Sequence, residues 1–134
     1  MNKIEHIGIA VKNLEDSNNL FAKLFGKSHY KIEAVATEGV KTSFFQVGEN
    51  KIELLEATTN DSAIAKFIAK NGEGIHHIAF AVDDILAEIE RLKKEGFKVL
   101  HETPKKGADN KLVAFLHPKS SNGVLIELCQ EIKE

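Results

Sequence analysis

The sequence predicts an α+β fold in which two βαβββ modules form one cupped, mixed β-sheet. The first observation is a repeat, because IEHIGIAV (residues 4–11) and IHHIAFAV (residues 75–82) share one apolar strand pattern. The second is that an amphipathic segment ending at a glycine follows each copy. The third is that three extended segments follow each amphipathic segment. Two copies of one strand-helix-strand pattern indicate two copies of one structural module.

The first module is predicted to cover about residues 1–57. After its first strand, NLEDSNNLFAKLFG (residues 13–26) has apolar residues near helical spacing and Gly26 as a stop signal. Extended segments are then predicted at about 28–37, 41–47 and 50–56, separated by glycine-containing breaks.

A connecting helix is predicted at about residues 60–72, in NDSAIAKFIAKNG. Asp61 or Ser62 is a suitable N-cap, and Asn71-Gly72 is a suitable end. The second module then covers about residues 74–130, with a helix in DDILAEIERLKKEG and extended segments at 97–101, 111–116 and 123–129. Together the modules are predicted to make residues 1–134 a single domain.

Composition excludes several classes of partner. The chain has 134 residues, a net charge of -2 and a pI near 6.3, so nothing indicates a nucleic-acid-binding surface. No apolar run approaches the ~20 residues needed to cross a bilayer, which argues against a membrane partner. The only cysteine is Cys129, so no internal disulfide is possible. These features predict a cytoplasmic protein.

Strand parity singles out two of the histidines. Successive side chains of a strand point to opposite faces, so His6 and His77 each share a face with small residues. The large apolar residues of both strands fall on the opposite face, which suits a side covered by helices. His76 falls on that opposite face, so that His77 is the counterpart of His6.

Two carboxylates show the same duplication. Glu53 in KIELLE and Glu127 in VLIELCQ lie in identical Ile-Glu-Leu tripeptides, in the last strand predicted for each module. Two imidazoles and two carboxylates are a suitable ligand set for a divalent metal, and a six-coordinate ion would keep two positions for substrate or water. The remaining histidines lack this duplication and are predicted to be structural or peripheral: His29, His76, His101 and His117.

Nearly the whole chain resembles the methylmalonyl-CoA epimerase family of the vicinal oxygen chelate superfamily. The resemblance lies in HIGIAVKNLE (residues 6–15), in KIELLEATTNDSAIAKFIAKNGEGIHHIAFAVDDI (residues 51–85) and in VAFLHPKSSNGVLIEL (residues 113–128). The superfamily also contains glyoxalase I, extradiol dioxygenases and fosfomycin-resistance enzymes. The first motif marks only the superfamily, whereas the longer segments are more specific to the epimerase branch.

The resemblance implies a metal-dependent isomerase that is a homodimer. Its metal ligands would be His6, Glu53, His77 and Glu127, binding Co²⁺, Mn²⁺, Ni²⁺ or Zn²⁺, although some family members have Gln at the position of Glu53. The reaction would interconvert (2R)- and (2S)-methylmalonyl-CoA by removing the C2 proton through a metal-stabilised enolate. Glu127 would also act as a catalytic acid-base group.

The resemblance leaves the second acid-base group open. Some relatives have Glu three residues after the glycine of a Gly-Val pair, but Gly39-Val40 leads here to Thr42, which is a poor proton acceptor. Glu38 is a nearby alternative. Lys119, in the loop HPKSSNG, is a candidate for binding an acyl or CoA oxygen, and a charged hairpin turn explains it equally well.

Two other functions remain open at this point. One is a glyoxalase I-like lactoylglutathione lyase, because that chemistry uses nearly the same ligands. The other is a non-catalytic small-molecule-binding protein on the same fold, which would most often lack the complete ligand set. Fold alone does not decide among these functions.

Overall fold

The computed structural model describes residues 1–133. They form two compact units, one made of residues 6–76 and the other of residues 1–5 together with the chain from residue 77 onward. Each unit contains one βαβββ module, and the first also contains the connecting helix. The predicted α+β fold with two βαβββ modules is therefore confirmed.

The strands of the first unit lie in the order β2-β3-β4-β1. The β1/β4 pair is parallel and the other two pairs are antiparallel, so the sheet is mixed. The elements are β1 (Lys3–Ala10, which begins in the other unit), α1 (Leu14–Phe25), β2 (Lys31–Val35), β3 (Val40–Val47), β4 (Asn50–Ala57) and α2 (Ala63–Asn71).

The predicted stop of α1 at Gly26 and the predicted start of α2 at Asp61 or Ser62 are confirmed, and the structure adds an N-cap for α1. The Asn13 side chain accepts a hydrogen bond from the Asp16 N–H at the start of α1, and Gly26 ends the helix in the left-handed conformation at φ 73°. Of the two N-cap candidates for α2, Ser62 accepts the bond from Ala65 N–H.

Helices pack against both faces of the first unit's sheet. The α1 face is built around a buried cluster of Val11, Leu14, Phe45 and Leu54. On the opposite face, α2 covers Ala10, Val40 and Leu55 with Ile64. His6, Glu53 and Thr42 lie on this second face, because each shares its strand parity with one of the three residues that α2 covers. We call it the histidine face.

The strands of the second unit lie in the order β5-β8-β7-β6. Here β5 and β8 are parallel and the outer pairs are antiparallel, as in the first module. The elements are β5 (Gly74–Ala81, which begins in the first unit), α3 (Ile85–Lys94), β6 (Lys105–Lys106), β7 (Lys111–Leu116) and β8 (Ile126–Glu131).

The core of the second unit lies between α3 and one face of its sheet. It contains Val82, Ile85, Ile89, Leu92, Ala114, Leu116 and Leu128. The opposite face has a smaller apolar cluster of Ala79, Val113 and Cys129, and strand parity puts His77 and Glu127 on that face.

One predicted strand is wrong. Residues 97–101 were expected to form the second strand of module two, but only Val99 makes an isolated bridge, to Leu116. Phe97 and Val99 pack against the α3 core, so their apolar alternation reflects burial rather than a strand ladder. The paired strand in this position is the two-residue β6, further along the chain.

No helix within residues 1–133 is long and apolar enough to cross a membrane.

Candidate active site

The first unit brings together His6 and Glu53. Their strands β1 and β4 run parallel, with Gly8 opposite Glu53, so that His6 lies two residues before the partner of the carboxylate. The Nε2 atom of His6 is 3.3 Å from Oε1 of Glu53. Both residues are buried, although both are polar. Burying polar groups costs free energy unless they have polar partners, and the contact between His6 and Glu53 reduces that cost.

The second unit brings together His77 and Glu127 in the same register. Their strands β5 and β8 run parallel with Ala79 opposite Glu127, and His77 again lies two residues before that partner. The Nε2 atom of His77 is 3.1 Å from Oε1 of Glu127, and both residues are buried. The sequence repeat therefore extends to the strand register and to the Nε2–Oε1 contact in each unit.

Each carboxylate also has a phenylalanine opposite it on the next strand. Phe44 of β3 pairs with Glu53, and Phe115 of β7 pairs with Glu127. The Phe115 ring lies edge-on to His77, with 5.9 Å between centroids and an interplanar angle of 86°. Sequence reasoning missed both aromatic residues, because the turns between these strands differ in length and leave no common spacing.

The other histidines have different surroundings. The His76 ring packs edge-on against Phe67 of α2, with 5.0 Å between ring centroids. His29 packs similarly against Phe45. The Nδ1 atom of His117 accepts the backbone N–H of Lys119 at 3.0 Å, and His101 is exposed. His76, His29 and His117 thus each have an observed contact, and these contacts explain their positions without a metal.

The strand that carries each carboxylate also anchors the start of a helix. Oε1 of Glu56 accepts the backbone N–H of Leu14, the first residue of α1, at 2.6 Å. Oε1 of Gln130 accepts the N–H of Ile85, the first residue of α3, at 2.7 Å. Each acceptor lies three residues after the carboxylate of its unit and therefore points to the opposite face of the sheet.

Of the remaining candidates, Thr42 is fully buried in β3, and its hydroxyl donates to the backbone oxygen of Glu33 at 3.4 Å. Glu38 lies beyond the end of β2, in a 3₁₀ turn over Ala36–Glu38, where strand pairing does not fix the direction of its side chain. Lys119 is exposed in the 3₁₀ turn Pro118–Ser120 between β7 and β8.

The donor chemistry of both units fits a divalent metal. Neutral imidazole nitrogens and carboxylate oxygens are common ligands of Co²⁺, Mn²⁺, Ni²⁺ and Zn²⁺. In each unit an Nε2 atom and an Oε1 atom lie close enough to bind one ion together. Four buried donors of these two types are therefore available, two from each unit.

The fold and these two histidine-carboxylate pairs define a class of protein. Residues 5–115 match the Glyoxalase/Bleomycin resistance protein/Dioxygenase superfamily. This match covers most of the chain, and the chain belongs to that superfamily.

Similarity to individual proteins narrows the class. The chain is 42% identical to Ethylmalonyl-CoA/methylmalonyl-CoA epimerase of Cereibacter sphaeroides, over 96% of this chain and 97% of that protein. It is also 42% identical to the mitochondrial methylmalonyl-CoA epimerase of Dictyostelium discoideum, over 94% of this chain and 76% of that protein.

A solved structure shows the same relationship. A variant of Streptomyces coelicolor methylmalonyl-CoA epimerase in complex with 2-nitronate-propionyl-CoA has a TM-score of 0.94 and 35% identity, covering 98% of this chain and 95% of that one. Within the superfamily, the chain belongs to the methylmalonyl-CoA epimerases.

Proposed function

We propose that this protein is an isomerase that interconverts the (2R) and (2S) epimers of methylmalonyl-CoA. The observation that carries the proposal is the 42% identity to the Cereibacter sphaeroides epimerase over nearly the full length of both proteins. The name of that relative includes ethylmalonyl-CoA, so a 2-ethyl substrate belongs in the same test.

The proposed metal ligands are His6, Glu53, His77 and Glu127. Supporting this set are the two buried histidine-carboxylate pairs, their identical strand register and the membership of the family. When bound there, Co²⁺, Mn²⁺, Ni²⁺ or Zn²⁺ would supply Lewis acidity for the thioester and carboxylate oxygens of the substrate. Epimerisation at C2 needs this help because a proton next to a thioester is only weakly acidic.

Glu127 is the proposed acid-base group for one face of C2. Its carboxylate would accept the C2 proton as the C–H bond breaks, and would return a proton to C2 in the reverse direction. Phe115, opposite Glu127 on β7, supplies an apolar neighbour, and a low-polarity environment strengthens electrostatic interactions between substrate and site.

Lys119 is proposed to bind an acyl or CoA oxygen. Its side chain is exposed and extends from a turn whose backbone is held by two hydrogen bonds to His117, one to Nδ1 and one to the carbonyl oxygen. An ammonium group on such a turn suits an anionic substrate without needing exact geometry.

Isotope exchange at C2 tests the function directly. The protein, loaded in turn with each of the four metals, is incubated in D₂O with each epimer of methylmalonyl-CoA and of ethylmalonyl-CoA. We expect deuterium at C2 together with formation of the other epimer. A parallel assay with methylglyoxal and glutathione tests the lactoylglutathione lyase alternative. Lyase activity without exchange at C2 would refute the epimerase proposal.

A single domain over residues 1–134, a homodimer and a cytoplasmic location complete the proposal. The dimer rests on the family resemblance, and the location rests on the composition. Light scattering of the purified protein and fractionation of cells that produce it test these two points.

A further inference from the structure

We infer that Glu33 is the second acid-base group of the reaction, in place of the carboxylate that some relatives have at the position of Thr42. The inference rests on the proposed epimerase function. Glu33 lies on the outer strand β2 of the first unit. It would transfer the proton on the face of C2 opposite to the face on which Glu127 acts.

Strand register puts Glu33 on the histidine face. In the antiparallel β2/β3 pair Glu33 lies opposite Thr42, and Lys31 lies opposite Phe44. Phe44 in turn lies opposite Glu53 in the β3/β4 pair. Directly paired residues of adjacent strands project from the same face, so this chain of pairs carries the face of Glu53 outward to β2.

Two side-chain contacts agree with the register. The Lys31 Nζ atom lies 5.8 Å from the centroid of the Phe44 ring, so Lys31 is on the face of Phe44. The same Nζ atom is 3.3 Å from Oε1 of Glu33. Lys31 therefore contacts the Glu33 carboxylate on the histidine face, and the carboxylate keeps access to solvent because its side chain is 31% exposed.

Position and length also favour Glu33. Adjacent strands are ~4.8 Å apart, so a glutamate on β2 starts one strand outward from position 42. Thr42 itself has a short side chain. The longer side chain of Glu33 can compensate for the extra distance between the two strands. Glu38 has no such placement, because it lies in the turn after β2 rather than in the paired strand.

The proposed step is a simple proton exchange. The Glu33 carboxylate accepts the C2 proton of one epimer, the C–H electron pair moves into the enolate, and Glu127 donates a proton to the other side of C2. In the reverse direction Glu127 accepts and protonated Glu33 donates. Each turnover thus moves one proton from C2 to one glutamate and one proton from the other glutamate to C2, and exchange with solvent restores the starting protonation of both groups.

A variant with one acid-base group removed gives a distinctive result. In Glu33→Gln, Glu127 still removes and returns the proton of one epimer. We expect that epimer to incorporate deuterium at C2 with retention of configuration, while formation of the other epimer falls by roughly 10²–10⁴-fold. A residue with a merely structural role would lower exchange of both epimers in parallel. Metal content and thermal melting of the variant are measured alongside.

Glu38→Gln is the matched control, because it removes a carboxylate from the same edge of the unit. We expect it to epimerise and exchange like the wild type. The inference is overturned if Glu33→Gln epimerises normally, if it loses exchange of both epimers equally, or if Glu38→Gln gives the selective loss instead. Failure of the wild type to exchange either epimer would instead refute the epimerase function itself.

Discussion

The two modules match closely at the histidine-carboxylate pair and differ at the outer strand. Thr42 and Val113 occupy equivalent places, each two residues before the phenylalanine that lies opposite a carboxylate. The residue paired with Thr42 on the outer strand is Glu33, whereas the residue paired with Val113 is Lys105. At equivalent positions the first module thus has an acidic residue and the second module has a basic residue.

The outer strands also differ in length. β2 pairs with β3 over five residues, whereas β6 has only two, Lys105–Lys106. The chain leaves β6 through a turn in which Asp109 and Asn110 both have positive φ, a conformation that is uncommon outside glycine. A longer, regular strand holds a side chain in a more defined direction, so the first module is better suited to position an acid-base group.

This comparison teaches that duplication fixes a frame of buried histidine-carboxylate pairs without fixing the residues around it. The inner strands β1 and β4, and β5 and β8, have the same register and carry the same pair of residue types, a histidine and a glutamate. The outer strands β2 and β6 differ in length and in the charge of the residue at the equivalent position.

The largest expected effect comes from removing a histidine from either pair. His6→Ala and His77→Ala should each lose bound metal and activity, since each removes a proposed ligand from a buried site. His76→Ala is the control and should keep both, because its ring packs on Phe67. Elemental analysis of the purified variants checks the metal content. Equal metal content in His77→Ala and His76→Ala would contradict the assignment of His77 as a ligand.

The next effect separates the two carboxylates, which are structurally alike but chemically unequal in our proposal. An amide oxygen can still bind metal, and some relatives have Gln at the position of Glu53. Glu53→Gln should therefore keep metal and most of its turnover. Glu127→Gln should keep metal but lose roughly 10²–10⁴-fold in turnover, because an amide cannot accept the C2 proton. Similar turnover of the two metal-loaded variants would refute the role of Glu127 as a base.

A smaller effect is expected where the modules differ in helix anchoring. Glu56 can place a negative charge at the N-terminus of α1, whereas the neutral Gln130 accepts the corresponding bond at α3. Glu56→Gln should lower the free energy of unfolding by about 0.3–1 kcal/mol near neutral pH, and Gln130→Glu should raise it by a similar amount. Urea unfolding at low and high salt measures this, and both differences should shrink at high salt.

The smallest effect concerns an ion pair on α3. The hydrogen bond from Arg91, assisted by the amino group of Met1, lowers the pKa of Glu88 from its ordinary 4.5. A carboxyl group with a lowered pKa stabilises the folded state above its unfolded pKa, and this contribution is lost as pH falls through the folded value. The stability difference between wild type and Glu88→Gln should therefore be present at neutral pH and vanish in acid. A difference that grows in acid would contradict this sign.

The sequence by itself determined the repeated module and the candidate ligands. Alternation in the strands that carry His6 and His77 identified which residues share a face with each histidine, because side-chain direction in a strand depends only on parity. The Ile-Glu-Leu tripeptides marked the matching carboxylates for the same reason. The end of α1 at Gly26 and the start of α2 at Asp61 or Ser62 were equally local, since helix caps act through bonds within a few residues.

Only the tertiary structure decided which residues lie across the strands. The partners of Glu53 and Glu127 are Phe44 and Phe115, and they follow from the register set by turns of different length. Glu33 joined the histidine face through pairing with Thr42, nine residues away in the chain. Residues 97–101 had the alternation of a strand but gave only one bridge, because Phe97 and Val99 pack against α3. A local pattern specifies which way a side chain points, whereas its neighbours depend on pairing between distant segments.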